Sequence, residues 1–437
     1  MKTQKRSKKL FVFANDNLKD LVAAKPGRNL RMHYPKYAYT LHTVIHYFTH
    51  CREQYDKYGK RLNVKKFDTL FGGKYLPEIK DDLIRWGYLH VEKVAITGKH
   101  AATYKLTPKY EQAAITMRRF TRPESKFIGK LIRFEEKEQL GNRVTKRLLQ
   151  TYEQHITVSE EGLRYFEIRY PHPAMVQLIQ LYRSGDQSEL QDTFNDLMDQ
   201  ISIAKEDLTL FGFLAGDFYV KNPVVSQRIY SNICNLKRDL RKFILLQGKP
   251  LMETDIACSQ VVFSVPVIEK ALSGQTEDFQ TYTAAALSGT FYEILADSAS
   301  MDITLPDDRK MFKQEFFRQI FFSKPHRYSL PIKDAFQRLF PTVYEAINKI
   351  KKGNHSKFAV QLQNLESDLI NSNVLKALQD EGHVALSLHD AIYVNNPTSL
   401  HRAEELIRMA FELEYRLDIQ FKNSRAKLKD AVLTQAA

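Results

Sequence analysis

The stretch Leu251–Phe263, LMETDIACSQVVF, decides how the rest of the chain is read. It sets one carboxylate, Asp255, at the end of an apolar run. A Cys-Ser-Gln step and more apolar residues follow. A carboxylate is costly to bury unless a cation sits beside it. Far downstream, Val384–Val394, VALSLHDAIYV, sets Asp390 after His389 within an otherwise strand-like run. Between the two lies a segment with Arg309, Lys313, Phe317 and Phe321 at four-residue steps. On a helix these four form a slowly drifting stripe about 18 Å long. Asp307 and Asp308 precede it, where acids suit a helix N-terminus. Cations at one end of the stripe suit a triphosphate, and aromatics further along suit a stacked base and sugar. Two acids on apolar strands with a basic helix between them point to metal-assisted phosphoryl chemistry, in which charge neutralisation and alignment do most of the work. Hard divalent ions take oxygen ligands, so carboxylates are the donors to expect.

Composition agrees with a polyanionic partner. The chain has 437 residues, 43% hydrophobic, with a formal net charge of +14 and a sequence pI near 9.3. That is enough for two or three domains with a real core, and the basic excess favours nucleic acid. Cys51, Cys234 and Cys258 form no CxxC pair, so neither a zinc site nor a disulfide framework is expected, and a reducing, cytoplasmic setting fits. The start, MKTQKRSKKLFVFAND, is basic and then briefly apolar. It is too short for a signal peptide or membrane span. Residues 1–33 read as a poorly ordered basic lead-in.

Residues 34–110 read as helices over Tyr37–Tyr55, Asn63–Leu70 and Leu76–Trp86, then two strands, Leu89–Ile96 and Ala102–Thr107, joined by a Thr97–His100 turn. Three helices and a hairpin resemble a winged helix-turn-helix, which implies DNA contact through the third helix. That helix also carries Glu78, Asp81 and Asp82, which leaves protein–protein contact open. Pro108–Arg122 reads as a linker, Ser125–Tyr152 as helical, and Glu160–Tyr170, Ala174–Arg183 and Ser188–Ile201 as further helices. Residues 111–219 are thus expected to be a linker and a helical, thumb-like region, and 220–437 the catalytic part. Val220–Phe243 is dense in basic residues; Arg238 and Arg241, three apart, share one helical face, and its place before Asp255 suits phosphate contact.

The ordered set resembles the palm and fingers motifs of family A DNA polymerases and of the related single-subunit phage-type RNA polymerases. Asp255, Ser259 and Gln260 resemble the first motif. Arg309, Lys313, Phe317 and Phe321 match the second, and His389-Asp390 the third. Leu362–Asp368 resembles the helix whose Gln, here Gln363, touches the primer–template minor groove, and Arg228–Ser231 resembles the segment whose Arg meets the primer end. The resemblance spans about residues 228–394. It implies an α+β fold: a compact right hand with a small antiparallel palm sheet and helical fingers and thumb, joined to the winged helix-turn-helix. It also implies Asp255 and Asp390 as ligands of two Mg²⁺ ions (or Mn²⁺), and Arg309 and Lys313 on the triphosphate, with Lys313 as general acid. Phe317, Phe321 and Gln260 would sit at the sugar and base, and Arg228, Arg238, Arg241, Gln363 and His389 at primer and template.

The chain departs from the family at the sugar. Glu usually stands five residues after the first Asp; here it is Gln260, or Val262 if the Ser-Gln pairs are aligned. Phe321 replaces a Tyr, and Ala391 replaces the Glu that follows His-Asp. No exonuclease motifs precede Val220. The expectation is a template-directed nucleotidyltransferase using nucleoside triphosphates on a primer–template: a DNA polymerase of a mobile or phage-like element. An RNA polymerase or primase on the same palm is the second reading, and a DNA-binding factor with an inert polymerase-like half the third.

Overall fold

Thr254 and Ile256 are fully buried while Glu253 and Asp255 are half-buried, the alternation of a strand with one face on a core. A computed structural model of the chain shows how that strand is held. It describes residues 7–421 apart from 15, 28, 74, 97–100, 122–124, 140–141, 186–189, 191–200, 202, 223–226, 273, 323 and 325–327. Two compact units are present: Met1–Leu140, Ile156–Tyr219 and Asn232–Ile244 form the first, and Gly141–His155, Val220–Ser231 and Leu245–Ala437 the second.

In the first unit the described part of the basic lead-in proves to be structured. Ser7–Phe13 is a strand paired antiparallel with Ile115–Thr121 over its whole length. Leu10, Phe11, Val12 and Phe13 are all buried, so the run needs cover on both faces, as a solvated tail would not. Its partner is part of the segment read as a linker. Next come helices Leu30–His50 and Arg52–Tyr58, broken at Cys51 where one helix to Tyr55 was expected. Asn63 caps Val64–Phe71 by accepting from the Lys66 N–H at 3.2 Å. Helix Tyr75–Arg85 is followed by strands Leu89–Lys93 and Thr103–Leu106, and short strand Lys60–Arg61 joins the latter's free edge. The turn expected at 97–100 lies outside the described residues. Asp82, 3% exposed, accepts from Tyr37 and Lys25, and Glu78 takes Lys25 at 2.8 Å. Two of the helix's three acids therefore serve internal pairs, while Arg85 is exposed. Ser159 and His172 cap Glu160–Arg169 and Pro173–Ser184; the helix expected over 188–201 falls almost wholly outside the described residues.

The stretch 111–219 is not one body. Its helix Arg143–His155 belongs to the second unit. Val144, Leu148 and Tyr152 bury one face there, Tyr152 Oη meets Ser231 Oγ at 2.8 Å, and Arg147 pairs with Asp380 at 2.5 Å. The segment expected to be helical from Ser125 to Tyr152 is thus two helices with different partners.

The second unit is built on a three-stranded antiparallel sheet. Met252–Asp255 lies on one edge, Ala391–Val394 at the centre and Leu386–Leu388 on the other edge. The central strand is buried at every residue, which explains its unbroken apolar run. Beyond Asp255, Ile256 bridges to Phe421 and the Ala257 N–H donates to the Gln420 carbonyl. Cys258, at φ +51°, turns the chain into helix Ser259–Glu269, which is apolar nearly all round and buried. Helix Glu277–Ser288 ends on Gly289 at φ +77°. A Cβ there would lie 3.2 Å from that of Ala257, and the Gly289 carbonyl accepts from Cys258 Sγ at 3.4 Å. Gly289 is therefore wedged against the turn that places Asp255 and Gln260. Gly289→Ala is expected to cost about 1–2 kcal/mol, from left-handed backbone and crowding together. Thermal denaturation reads this as a lower midpoint; an unchanged midpoint would show the contact to be slack.

Candidate active site

The third motif folds differently from a simple strand. His389 and Asp390 form a two-residue turn between Leu386–Leu388 and Ala391–Val394, with Leu388 opposite Ala391. Such turns need positive φ, and His389 supplies it at +56°. On the other side of the central strand, Asp255 is opposite Ala391. Asp255 and Asp390 therefore lie at the same end of the sheet, one register step apart. Strand spacing and rise put their Cα atoms about 6 Å from each other. Both are half-buried, and Asp255 Oδ1 is out of solvent. Among the described residues, six non-glycine positions have positive φ; Gln227, Cys258 and His389 are three of them. Each costs about 1–2 kcal/mol, and they flank Arg228, Asp255 and Asp390 in turn. Strained backbone gathered in this way marks a site rather than a core.

A third acid, not singled out from the sequence, is bonded to Gln260 and Arg228. Glu366, on helix Lys357–Ser367, is 1% exposed. Its Oε2 accepts from Arg228 Nη2 at 2.7 Å and from the Gln260 side-chain amide. Burial pushes its carboxyl up to about 7; the bonds and charge of Arg228 and the bond from Gln260 pull it down, and the charge of Asp390 pushes it further up. Next to it, Ser367 Oγ donates to the Gln227 carbonyl, fixing the loop before Arg228. His389 meets the Tyr230 ring edge-on, centroids 6.1 Å apart. A cavity of about 570 Å³ opens beside the same helix, with Gln227, Lys270, Lys357, Gln361 and Asn364 in its wall.

Arg309 and Lys313 lie on helix Pro306–Phe316, with Asp307 and Asp308 in its first turn as expected. Arg309 donates to Glu293, and Lys313 Nζ sits 4.6 Å above the Tyr292 ring. The Arg309 pair is partly exposed on both sides, so its net worth is about 0–1 kcal/mol and an incoming phosphate can compete for the guanidinium. Tyr292 is 3% exposed. Burial holds its phenol well above the usual range, and both Arg309 and Asp390 act on it through their charge. It is the residue the Lys313 ammonium rests on, and no periodicity marked it.

The regular stripe ends at Phe317. Phe317–Phe321 is π-helical, and the Phe322 N–H donates to the Phe317 carbonyl five residues back. The wider turn rotates Phe321 inward: it is fully buried against Phe316 and Phe358 and is core, not a platform for base or sugar. Phe322, 41% exposed, stacks on Phe317 instead, rings 5.0 Å apart and nearly parallel. Gln363 is half-buried, one turn before Glu366. Arg238 and Arg241 belong to the first unit, on the 3₁₀ turn Arg238–Phe243, where a three-residue step does place them on one face.

Among the described residues, no group of three or more His, Cys, Asp or Glu side chains is arranged to hold a metal, so the acids available at the sheet end are Asp255 and Asp390. No described helix is long and apolar enough to cross a membrane.

No family model matches the chain, and no curated protein matches it. Among solved structures, the POL domain of Pol1 from M. smegmatis, in complex with DNA primer-template and dNTP, is similar at 13% identity, covering 69% of this chain and 72% of that chain with a TM-score of 0.37. So loose a superposition fixes neither fold nor function, and the case for this site rests on its own residues.

The Glu366 carboxyl carries a testable signature. With its folded pKa raised from 4.5 to about 7, the folded state holds a proton that the unfolded state has released across that interval. Stability from this group is complete below about pH 4.5 and is lost as pH rises to about 7. Glu366→Gln removes the titration. Urea midpoints measured from pH 5 to 8 should show wild type losing ground to the variant as pH rises; parallel curves would mean an ordinary surface-like carboxyl.

Proposed function

We propose that this protein is a template-directed nucleotidyltransferase that joins nucleoside triphosphates to a primer end on a nucleic acid template, DNA in the first instance. The supporting observation is the register that puts the backbones of Asp255 and Asp390 at one end of an antiparallel sheet, one step apart, in a unit that also carries the Arg309 and Lys313 helix. Two carboxylates one register step apart fit Mg²⁺, which binds through one or two protein carboxylates and keeps its remaining positions for water and phosphate. Bound there, Mg²⁺ would activate the attacking hydroxyl and neutralise the triphosphate.

The chain's own residues would do the rest. Arg309, released from Glu293, would clamp the triphosphate. Lys313 would give its proton to the departing pyrophosphate, and Tyr292 would orient the ammonium through its ring face. Phe317, with Phe322 stacked on it, would offer the aromatic surface for the nucleotide. Arg228 and His389, held by Glu366 and Tyr230, would meet the primer end. In the first unit, the order of two helices, a short strand, two more helices and two paired strands suits a winged helix-turn-helix, and Arg85 is exposed at the end of the last of these helices.

A DNA-binding factor with an inert polymerase-like half is the alternative reading. Primer extension with Mg²⁺ on a DNA primer–template tests the reading. Asp255→Ala and Asp390→Ala should each abolish extension while binding of the primer–template survives, and wild-type extension by either variant would sink the metal assignment. Lys313→Ala should lower kcat by about 10²- to 10⁴-fold, the usual worth of a placed general acid.

A further inference from the structure

Helix Lys357–Ser367 presents two faces. Gln363 and Glu366 stand on one of them. Gln361 lies two residues before Gln363, a rotation of about 200°, and so stands on the other. Lys357, Asn364 and Leu365 share that second face with Gln361, because steps of three and four residues return to the same side. The cavity of about 570 Å³ lies against this second face and reaches Gln227, the residue before Arg228. Ligand sites run from about 300 to 1,000 Å³, so there is room for a molecule of nucleotide size.

The wall offers three kinds of contact. Val267, Ala271, Ile350 and Leu365 line it, each half-buried, and would lose more water under a flat apolar ring. Gln361 and Asn364 add two amides. Gln361 Oε1 is out of solvent and hydrogen-bonds to nothing. The last torsion of a glutamine is broad and roughly two-fold, so the amide can turn either end toward a ligand, and an N–H that met the oxygen would remove the cost of leaving it unpaired. Lys270 and Lys357 are exposed at the same wall, with Asp368 against them, which leaves the wall net positive and suited to an anion. An apolar ligand would leave the amides and lysines unused. Inorganic phosphate would leave the apolar residues and the amides unused. A planar base carrying a phosphate uses all three, and Gln or Asn amides match the donor and acceptor edge of adenine.

We infer that this cavity is a site for one unpaired adenine nucleotide, its base against the apolar residues, its edge on Gln361 and Asn364, and its phosphate on Lys270 and Lys357. The nucleotide has two sources, a free mononucleotide or an unpaired residue of a nucleic acid strand. The site uses neither Asp255 nor Asp390 and needs no metal, so it does not depend on the nucleotidyltransferase reading.

Calorimetry in EDTA tests it, since metal-dependent binding at the two acids is then silent. AMP probes the first source. A single-stranded oligodeoxyadenylate, compared with an abasic strand of equal length, probes the second. Wild type should bind AMP, or should bind the adenine strand more tightly than the abasic one. Gln361→Leu and the double variant Lys270→Ala/Lys357→Ala should each weaken the favoured probe by about 10-fold or more, while Asp255→Ala should bind as wild type does. Failure of wild type to bind AMP or to prefer the adenine strand would overturn the site. So would binding that survives in both cavity variants, or that is lost in Asp255→Ala. Primer extension is run alongside. If wild type extends nothing yet AMP binding is lost in the cavity variants, the site stands and the nucleotidyltransferase reading falls; if it extends but binds neither probe, the reading stands and the site falls.

Discussion

The pairing of Asp255 with Ala391 across the sheet is the constraint on which the candidate site depends. Antiparallel register has a period of two, so a slip of one residue would turn every side chain of the edge strand to the other face. The slip is opposed by Thr254, buried on the core side, and by a central strand buried at every position. Once the register holds, the two-residue turn at His389 and Asp390 brings the second acid beside the first. Neither acid needs a salt bridge with the other strand to reach this place. Backbone hydrogen bonds and apolar burial deliver two carboxylates to one end of the sheet.

The other candidate groups of the second unit are each held by partners of their own. Lys313 rests on the Tyr292 ring and Arg309 pairs with Glu293. Arg228 comes from a loop pinned by the Ser367 hydroxyl on the Gln227 carbonyl. Glu366 lies deeper and, with its carboxyl pushed up toward neutrality, adds less charge than its type suggests. The positive φ of Gln227, Cys258 and His389 shows that local backbone preference was overridden at each of the three approaches.

Much of the site was legible in the sequence because its parts are local. An acid at the end of an apolar run, a His-Asp step, and cations four residues apart are patterns of neighbours; the Asp255 strand and the Arg309–Lys313 helix formed where expected, while His389 and Asp390 fell in a turn between two strands. The errors share a cause. Phe321 was read on the stripe of Arg309 and Lys313 because a period near four was continued past Phe316, where the i→i+5 bond to Phe322 widens the helix. The lead-in around Leu10–Phe13 reads as poorly ordered in the sequence because its partner strand lies more than a hundred residues away. Glu366 passed as an ordinary helical glutamate, since burial of its carboxyl depends on Arg228 and Gln260, 138 and 106 residues distant in the chain.

By itself, then, the sequence determined the two acids, the basic helix and the alternation of strand and helix that carries them, because these follow from side-chain type and short-range period. Tertiary structure alone decided which acids share one end of the sheet, which aromatics stay accessible and which carboxylate is buried against an amide and a guanidinium. Those outcomes depend on strand register, on the pitch of one helical turn and on burial between segments remote in sequence, and none of the three is written in the spacing of neighbouring residues.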